Sequence, residues 1–155
     1  MNSENNLEHL IKEEKTLTFK TFTNQDAYQI ASLIIEEAKA LNASIVVHIV
    51  VNGRVIFHYA FDGTTSDNDR WIERKANIVV LYQHSSYYMG LLVEKTGSDF
   101  TKALSLPEDK YSPSGGCYPL RLRDGIVFGH ISVSGYTPEE DHNAIVRALK
   151  KHISC

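Results

Sequence analysis

The 155-residue sequence has few cysteines, little excess charge and no long apolar segment. Its two cysteines, Cys117 and Cys155, are too few for a disulfide framework, which favours a reducing compartment. The net charge of −3 lacks the basic excess that is typical of nucleic-acid-binding proteins. The longest apolar stretch, residues 45–51, is interrupted by His48 and is far shorter than the roughly 20 residues of a membrane helix. These absences argue against nucleic-acid and membrane partners.

The start of the chain does not resemble an export signal. Residues 1–14 are polar and acidic, without the basic beginning and apolar centre of a signal peptide. We therefore expect a cytoplasmic protein. The length and the ordinary composition, with 43% hydrophobic and 23% charged residues, predict a single domain over residues 1–155. Residues 1–16 are predicted to form an N-terminal helical extension of this domain.

Apolar residues at helical spacing predict four helical segments. They cover residues 7–14, residues 27–41, residues 67–96 with a break near 85–86, and the segment after residue 137. The start of the last helix is the best marked, because Thr137 can be its N-cap and Pro138 suits its first position. Glu140 would complete a capping box. Residues 17–22 alternate loosely and predict a short strand.

Two dipeptides with the composition of type I′ turns predict two β-hairpins. Asn52-Gly53 separates the β-rich residues 44–51 and 54–61, and Asp124-Gly125 separates residues 117–123 and 126–134. Antiparallel strands combined with helices indicate an α+β fold. Pro119 in the second hairpin favours an edge strand.

A two-residue turn also predicts which residues face each other. In the first hairpin His48 would face Phe57 and Val47 would face His58, so the two histidines would lie on opposite faces and could not share a metal ion. In the second hairpin the expected pairs are Tyr118–Ile131, Pro119–His130, Leu120–Gly129 and Arg121–Phe128.

Two polar residues and one pair of glycines are candidates for a binding site. Lys75 falls in an apolar helical stripe, where it either snorkels to the surface, paired with Glu73 or another acid, or points into a polar pocket. His142 lies on the core-facing side of the last helix and has either a structural or a ligand-binding role. Gly115 and Gly116 either make a turn or allow close approach of a ligand.

No motif of a known catalytic chemistry is present. The sequence lacks a phosphate-binding loop, a dinucleotide fingerprint, a serine nucleophile elbow and the closely spaced cysteines or histidines of a zinc site. The sequence therefore predicts no catalytic residue and no metal site.

Three segments together resemble the GlcG/HbpS-like superfamily, also called the haem-degrading-domain family, which includes the C-terminal domain of PduO-type proteins. The segments are Trp71…Arg74-Lys75…Asn77, Gly115-Gly116…Pro119, and Val133-Ser134-Gly135 followed by Asp141-His142. The resemblance spans roughly residues 24–149 and is nearest to the small single-domain branch, which has no agreed reaction. It implies a profilin-like or PAS-like fold with a central antiparallel sheet and packed helices.

The resemblance also implies a function and a site. We expect a homo-oligomer that binds a small anionic ligand, such as a tetrapyrrole, in a pocket between subunits. Haem is the cofactor that the family suggests, although the sequence shows no dedicated haem-ligand signature. Lys75 would pair with a ligand carboxylate, and His142 would donate a hydrogen bond or ligate a metal. The predicted ligand-binding residues are Trp71, Arg74, Lys75, Gly115, Gly116, Pro119, Asp141 and His142.

The alternative function is a non-enzymatic oligomeric scaffold or adaptor that binds a protein partner. Tyr87, Tyr88 and Tyr111 fit a protein contact, because aromatic residues are enriched in interfaces. Substitution of Lys75 and His142 distinguishes the two hypotheses, since only a ligand pocket would lose ligand while the protein stays folded and assembled. A redox or haem-cleaving enzyme stays open as the last-ranked function, because the sequence supplies no nucleophile–base pair for it.

Overall fold

The computed structural model describes residues 3–98 and 100–154, and it confirms the predicted α+β class. Cys155 lies outside the described residues. In chain order the elements are α1 (Ser3–Thr16), α2 (Asn24–Ala40), β1 (Val46–Val51), β2 (Arg54–Ala60), α3 (Ser66–Tyr82), α4 (Ser86–Thr96), α5 (Phe100–Ala103), β3 (Cys117–Arg121), β4 (Val127–Ser134) and α6 (Pro138–Ile153).

The helices begin where local capping chemistry predicts. Thr23 caps α2 and forms a reciprocal capping box with Asp26. Thr137 caps α6 by accepting a hydrogen bond from the Glu140 N–H at 3.3 Å, whereas the Glu140 carboxylate lies 3.9 Å from Arg147 instead of returning to the cap. Within residues 3–98 and 100–154, no helix combines the length and apolarity needed to cross a membrane.

The four strands form one antiparallel sheet in the order β2-β1-β4-β3. Helices α2 and α6 cover one face, where their apolar residues pack with Val47, Ile49, Ile131 and Val133 in the main core. Helix α3 covers the other face, where Ala76 and Val79 pack against Cys117 of β3. Strand β3 lies at an edge, as its proline predicts.

The predicted strand at residues 17–22 is wrong except at one position. Phe19 makes an isolated parallel bridge to Leu122, with its N–H donating to the Arg121 carbonyl at 2.9 Å. The rest of the segment connects α1 to α2, because only Phe19 reaches the edge of the sheet, where its ring is buried in the core.

The second hairpin has the predicted register over most of its length. The expected pairs that are present are Tyr118–Ile131, Pro119–His130 and Leu120–Gly129. A register shift after Leu120 then places Arg121 opposite Val127 instead of Phe128. The predicted pairing is therefore correct except beside the turn. The prediction of a type I′ turn at Asp124-Gly125 is wrong, because Gly125 has a positive φ of 98° and Asp124 does not.

A β-bulge overturns the predicted register of the first hairpin. The strand pairing shifts after Ile49 and leaves Ile56 of β2 without a partner. His48 consequently faces His58 instead of Phe57. Because one extra residue reverses the alternation of side chains, the two histidines lie on the same face of the sheet and the prediction of opposite faces is wrong.

Gly129 of β4 lies where a side chain would strike the neighbouring strand. A Cβ there would collide with the Val50 carbonyl oxygen and would lie 3.1 Å from the Val51 Cα. We expect Gly129→Ala to lower the free energy of unfolding by about 1–3 kcal/mol, measured by urea denaturation. The control is Gly53→Asn, because asparagine tolerates the positive φ of 78° and nothing lies within 4 Å. Equal losses in both variants would contradict the steric argument.

Candidate functional site

Lys75 and Asp141 form a buried ion pair at one end of the sheet. Lys75 of α3 is 2% exposed and Asp141 of α6 is 4% exposed. The Lys75 Nζ donates to the Val133 carbonyl at 2.8 Å and lies 3.4 Å from the Asp141 Oδ2. The Tyr136 N–H donates to the other carboxylate oxygen at 2.9 Å. Lys75 therefore points inward instead of snorkelling to the surface beside Glu73.

Burial and the partner charge act in opposite directions on this pair. Removal from water lowers the pKa of Lys75, and the Asp141 charge raises it. Removal from water likewise raises the pKa of Asp141, and the Lys75 charge and the Tyr136 N–H lower it. Each charge thus compensates the desolvation of the other, so the loss of either partner leaves an uncompensated charge in the interior.

The two glycines before β3 allow the chain to pass directly against the ion pair. Gly116 has φ +128°, and a Cβ there would collide with the Lys75 Nζ and lie 2.7 Å from the Val133 carbonyl oxygen. A Cβ at Gly115 would collide with the Pro138 carbonyl oxygen at the start of α6. The glycines therefore serve close approach within the chain, because no other residue type leaves room for Lys75.

An inner cavity of about 300 Å³ lies over the ion pair, between α3, the loop before β3 and the turn from β4 to α6. Its floor carries Lys75 and Asp141, and its wall includes Asn68, whose Nδ2 donates to the Ser134 Oγ at 3.3 Å. Tyr136 also lines the cavity, and its buried hydroxyl makes no hydrogen bond among the described residues.

An outer cavity of about 450 Å³ adjoins the first and shares Asp67 and Trp71 with it. We call the two cavities together the Trp71 recess. Trp71 is 38% exposed, and the Arg74 Cζ lies 4.5 Å from the centre of its ring. The Arg74 Nε donates to the Glu108 carbonyl at 2.9 Å, and Arg70 also lines the outer cavity. The recess thus offers an aromatic surface beside two guanidinium groups.

Five of the eight predicted site residues line the recess. They are Trp71, Arg74, Lys75, Gly115 and Asp141. Gly116 does not line it but lies against Lys75 and Asp141. Pro119 lies away from the recess, on β3 opposite His130.

His142 also lies away from the recess. Its ring centre is 4.7 Å from that of Tyr87 and 5.7 Å from that of Tyr118, and its Nε2 is 3.9 Å from a Glu13 oxygen. Burial lowers the pKa of His142 to about 4, so the imidazole is neutral at physiological pH.

Sequence reasoning missed several residues that line the recess. Arg70 precedes Arg74 by one helical turn, and this spacing would have indicated a pair of guanidinium groups on one face. Asn68, Ser114 and Tyr136 come from three separate segments. No local pattern identifies them, because only the folded chain brings these segments together.

Replacement of Lys75 by methionine is expected to leave the Asp141 carboxylate buried without a counter-charge. We expect Lys75→Met to lower the free energy of unfolding by about 3–5 kcal/mol at neutral pH. Without the Lys75 charge, which lowers the pKa of Asp141, this pKa should rise further above its value in the folded parent protein. The loss relative to the parent should therefore grow as pH rises above the parent's folded Asp141 pKa, because the folded parent releases this proton at a lower pH than the folded variant does. Urea denaturation at several pH values and fixed protein concentration measures both effects.

Two further variants complete this test. Addition of Asp141→Asn to Lys75→Met should recover part of the stability and remove the added pH dependence. Lys110→Met is the matched control, because Lys110 pairs with Glu73 at 3.2 Å on the surface. Its substitution should lower the free energy of unfolding by at most about 1 kcal/mol. A Lys75→Met loss no larger than that of the control would show that the buried pair contributes little.

Comparison with known proteins gives relatives over nearly the whole chain. A UPF0303 protein of Streptomyces coelicolor is 36% identical, covering 93% of this chain and 91% of its own length. A UPF0303 protein of Schizosaccharomyces pombe is 31% identical, covering 94% of this chain and 82% of its own length. The crystal structure of Ybr137w superposes with a TM-score of 0.87 at 27% identity, covering 96% of this chain and 90% of that one.

More distant structures share the fold. The PduOC:heme complex superposes with a TM-score of 0.71 at 23% identity, over 84% of this chain and 94% of that one. HbpS superposes with a TM-score of 0.65 at 19% identity, over 84% of this chain and 88% of that one. The model of the family described as "Haem degrading protein HbpS-like" matches residues 22–150, which confirms the resemblance inferred from three segments. The chain therefore belongs to the HbpS-like haem-degrading protein family.

Proposed function

We propose that this protein binds a planar, anionic small molecule in the Trp71 recess, with a tetrapyrrole as the first compound to test. The observation that carries the proposal is the partly exposed Trp71 with Arg74 over its ring and Arg70 lining the same outer cavity, beside the inner cavity whose floor carries Lys75 and Asp141. Membership of a family with a haem-degrading name and the likeness to a heme complex support this class of ligand.

The aromatic surface accounts for the planar part of the ligand. Trp71 is the single tryptophan of the chain, and more than a third of it is open to solvent. Large aromatic side chains bury 150–250 Å² each and contribute strongly to binding when a ligand covers them. A flat macrocycle stacked on the indole would make use of this exposed area.

The two arginines account for the anionic part. A guanidinium group binds a carboxylate through two parallel hydrogen bonds, and Arg70 and Arg74 lie one helical turn apart. Asp67, Glu108 and Asp109 line the same outer cavity, so geometry rather than net positive charge selects the ligand. Lys75 is already paired with Asp141 and shapes the floor instead of serving as a free cation.

The recess fits a macrocycle with carboxylates better than it fits the iron of haem. Haem iron takes histidine, cysteine, methionine or tyrosine as axial ligand. Of these types, only Tyr136 is among the described residues that line the inner cavity. Burial raises the pKa of Tyr136 and so disfavours the phenolate that would bind iron. We therefore expect a metal-free porphyrin to bind about as well as haemin.

Fluorescence of the single tryptophan tests this proposal directly. We expect haemin and protoporphyrin to quench Trp71 saturably with one ligand per site, after correction for absorbed light. Arg70→Ala and Arg74→Ala should each weaken binding at least about tenfold, because a hydrogen bond to a charged group contributes about 1.5–3 kcal/mol. The control is Arg147→Ala. Arg147 lies on α6, away from the recess, and its guanidinium group pairs with Glu37 of α2 at 2.7 Å.

The outcomes separate the functional hypotheses. Quenching without saturation, or equal affinities of the arginine variants and the parent protein, would contradict a ligand site at Trp71. A protein that forms its oligomer normally and binds neither compound would instead favour the scaffold or adaptor function. Binding of haemin without binding of protoporphyrin would show that iron, and not the macrocycle, is recognised.

We also propose that the protein is a homo-oligomer whose subunits meet near the recess. Helix α3 exposes Val80 and Leu81, and the edge strand β2 exposes Val55 and Tyr59. Exposed apolar groups at an unpaired sheet edge favour self-association. Since Trp71 lies on α3 as well, a second subunit on this surface would approach the recess.

Charge introduced on this surface should reduce the molar mass measured by light scattering. We expect the double variant Val55→Asp/Leu81→Asp to shift the protein towards the monomer, because burial of an unpaired carboxylate opposes association. Leu41→Asp is the control, since Leu41 is 59% exposed at the end of α2 and lies outside this surface. An unchanged mass in the double variant would show that the subunits meet elsewhere.

A further inference from the structure

Three histidines line a separate cavity of about 290 Å³ between the sheet and α3. His48 comes from β1, His58 from β2 and His130 from β4, and Asp69 and Glu73 of α3 line the same cavity. None of these residues contributes to the Trp71 recess. The cavity is therefore independent of the proposed ligand site.

The bulge in the first hairpin brings two of these imidazoles into direct contact. The Nδ1 atoms of His48 and His58 are 2.9 Å apart, and the ring planes are inclined at 79°. The other nitrogen of His58, Nε2, lies 3.8 Å from the Asp69 Oδ1. The two rings thus come from neighbouring strands with their Nδ1 atoms facing each other, and Asp69 of α3 lies near the far nitrogen of His58.

The nearby carboxylate favours one protonation state of this pair. Asp69 stabilises a proton on the His58 Nε2, which leaves the His58 Nδ1 with a free lone pair. The His48 Nδ1 then donates the proton between the rings. A carboxylate that hydrogen-bonds to the far nitrogen of an imidazole orients metal-ligating histidines in proteins. At 3.8 Å Asp69 lies on the correct side of His58 for this role but does not yet make the hydrogen bond.

The separation of the two nitrogens matches that of two ligands on one metal ion. Nitrogen ligands lie about 2.0–2.1 Å from zinc, so two of them at 90–109° are about 2.8–3.4 Å apart. The observed 2.9 Å lies within this range. The ring centres are 5.1 Å apart, so the two rings now point at each other along the hydrogen bond. Rotation of both side chains, and transfer of the His48 proton to its Nε2, would turn the two Nδ1 lone pairs towards one metal ion.

We propose that His48 and His58 bind one divalent transition-metal ion through their Nδ1 atoms, with Asp69 as a positioning residue. Imidazole nitrogens suit zinc, copper, nickel and cobalt. No group of three or more metal-ligating side chains among residues 3–98 and 100–154 is arranged around one ion, so water completes the coordination. Such a site exchanges its metal and keeps positions open, unlike a closed structural zinc site.

His130 is the third imidazole among the residues that line this cavity, and its buried Nδ1 makes no hydrogen bond among the described residues. It lies on β4 two residues from Ser132, which pairs with His48. We expect His130→Phe to weaken metal binding less than substitution of either ligand.

The test uses the untagged, metal-free full-length protein titrated with Co²⁺ and Zn²⁺. Calorimetry should give one ion per chain, and Co²⁺ should show an absorption band that Zn²⁺ displaces. We expect His48→Gln and His58→Gln each to weaken binding at least about tenfold, and Asp69→Asn to weaken it about 10–100-fold. The control is His9→Gln, because the exposed His9 lies 3.5 Å from Glu13 and offers another histidine–carboxylate pair.

A nitrogen-specific measurement separates ligation from a structural role. In protein labelled with nitrogen-15, Zn²⁺ should shift the Nδ1 resonances of His48 and His58 and leave both Nε2 atoms protonated. Thermal unfolding without metal shows whether each variant remains folded. Binding that survives in the double variant His48→Gln/His58→Gln, an equal loss in His9→Gln, or the absence of stoichiometric binding would each overturn the proposal. Haemin binding at Trp71 would be unaffected by any of these outcomes.

Discussion

The buried pair of Lys75 and Asp141 is the constraint on which the geometry of the recess depends. Taking each charge out of water costs several kcal/mol, and only close partners compensate this cost. Lys75 finds them in Asp141 and in the Val133 carbonyl, which belong to α6 and β4. The ammonium group also requires a residue without a side chain at position 116. One ion pair therefore fixes two helices, a strand and a loop relative to each other.

Elements whose boundaries depend on local chemistry could be predicted from the sequence. Thr23 and Thr137 mark helix starts because their side chains satisfy free N–H groups of the first turn. Asn52-Gly53 marks the first hairpin because both central residues of a type I′ turn need a positive φ, as Asn52 and Gly53 have in the structure. Asp124-Gly125 marks the place of the second hairpin but not its turn type, because only Gly125 has a positive φ there. The α+β class follows from these elements together.

Features that depend on distant residues could not be predicted in the same way. The bulge leaves one residue of β2 unpaired, and no local pattern distinguishes a regular hairpin from one with an extra residue. The partner of Lys75 lies 66 positions further along the chain. The burial of Glu14 in the polar first helix could not be predicted either. Its carboxylate accepts a hydrogen bond at 2.6 Å from the N–H of Ser85, which lies 71 positions further along the chain. The sequence pattern of α1 indicates only an amphipathic helix, not this anchor.

Helix α3 separates the two proposed sites because its rows of side chains point in different directions. Arg70, Trp71 and Arg74 turn towards the recess, whereas Asp69 and Glu73 turn towards the histidines. The linings share no residue, so a ligand in one cavity does not touch the other. Both sites nevertheless depend on the position of the same helix, which Lys75 ties to the end of the sheet. A change at Lys75 should therefore disturb both sites, whereas a change at Arg74 or His58 should disturb only its own.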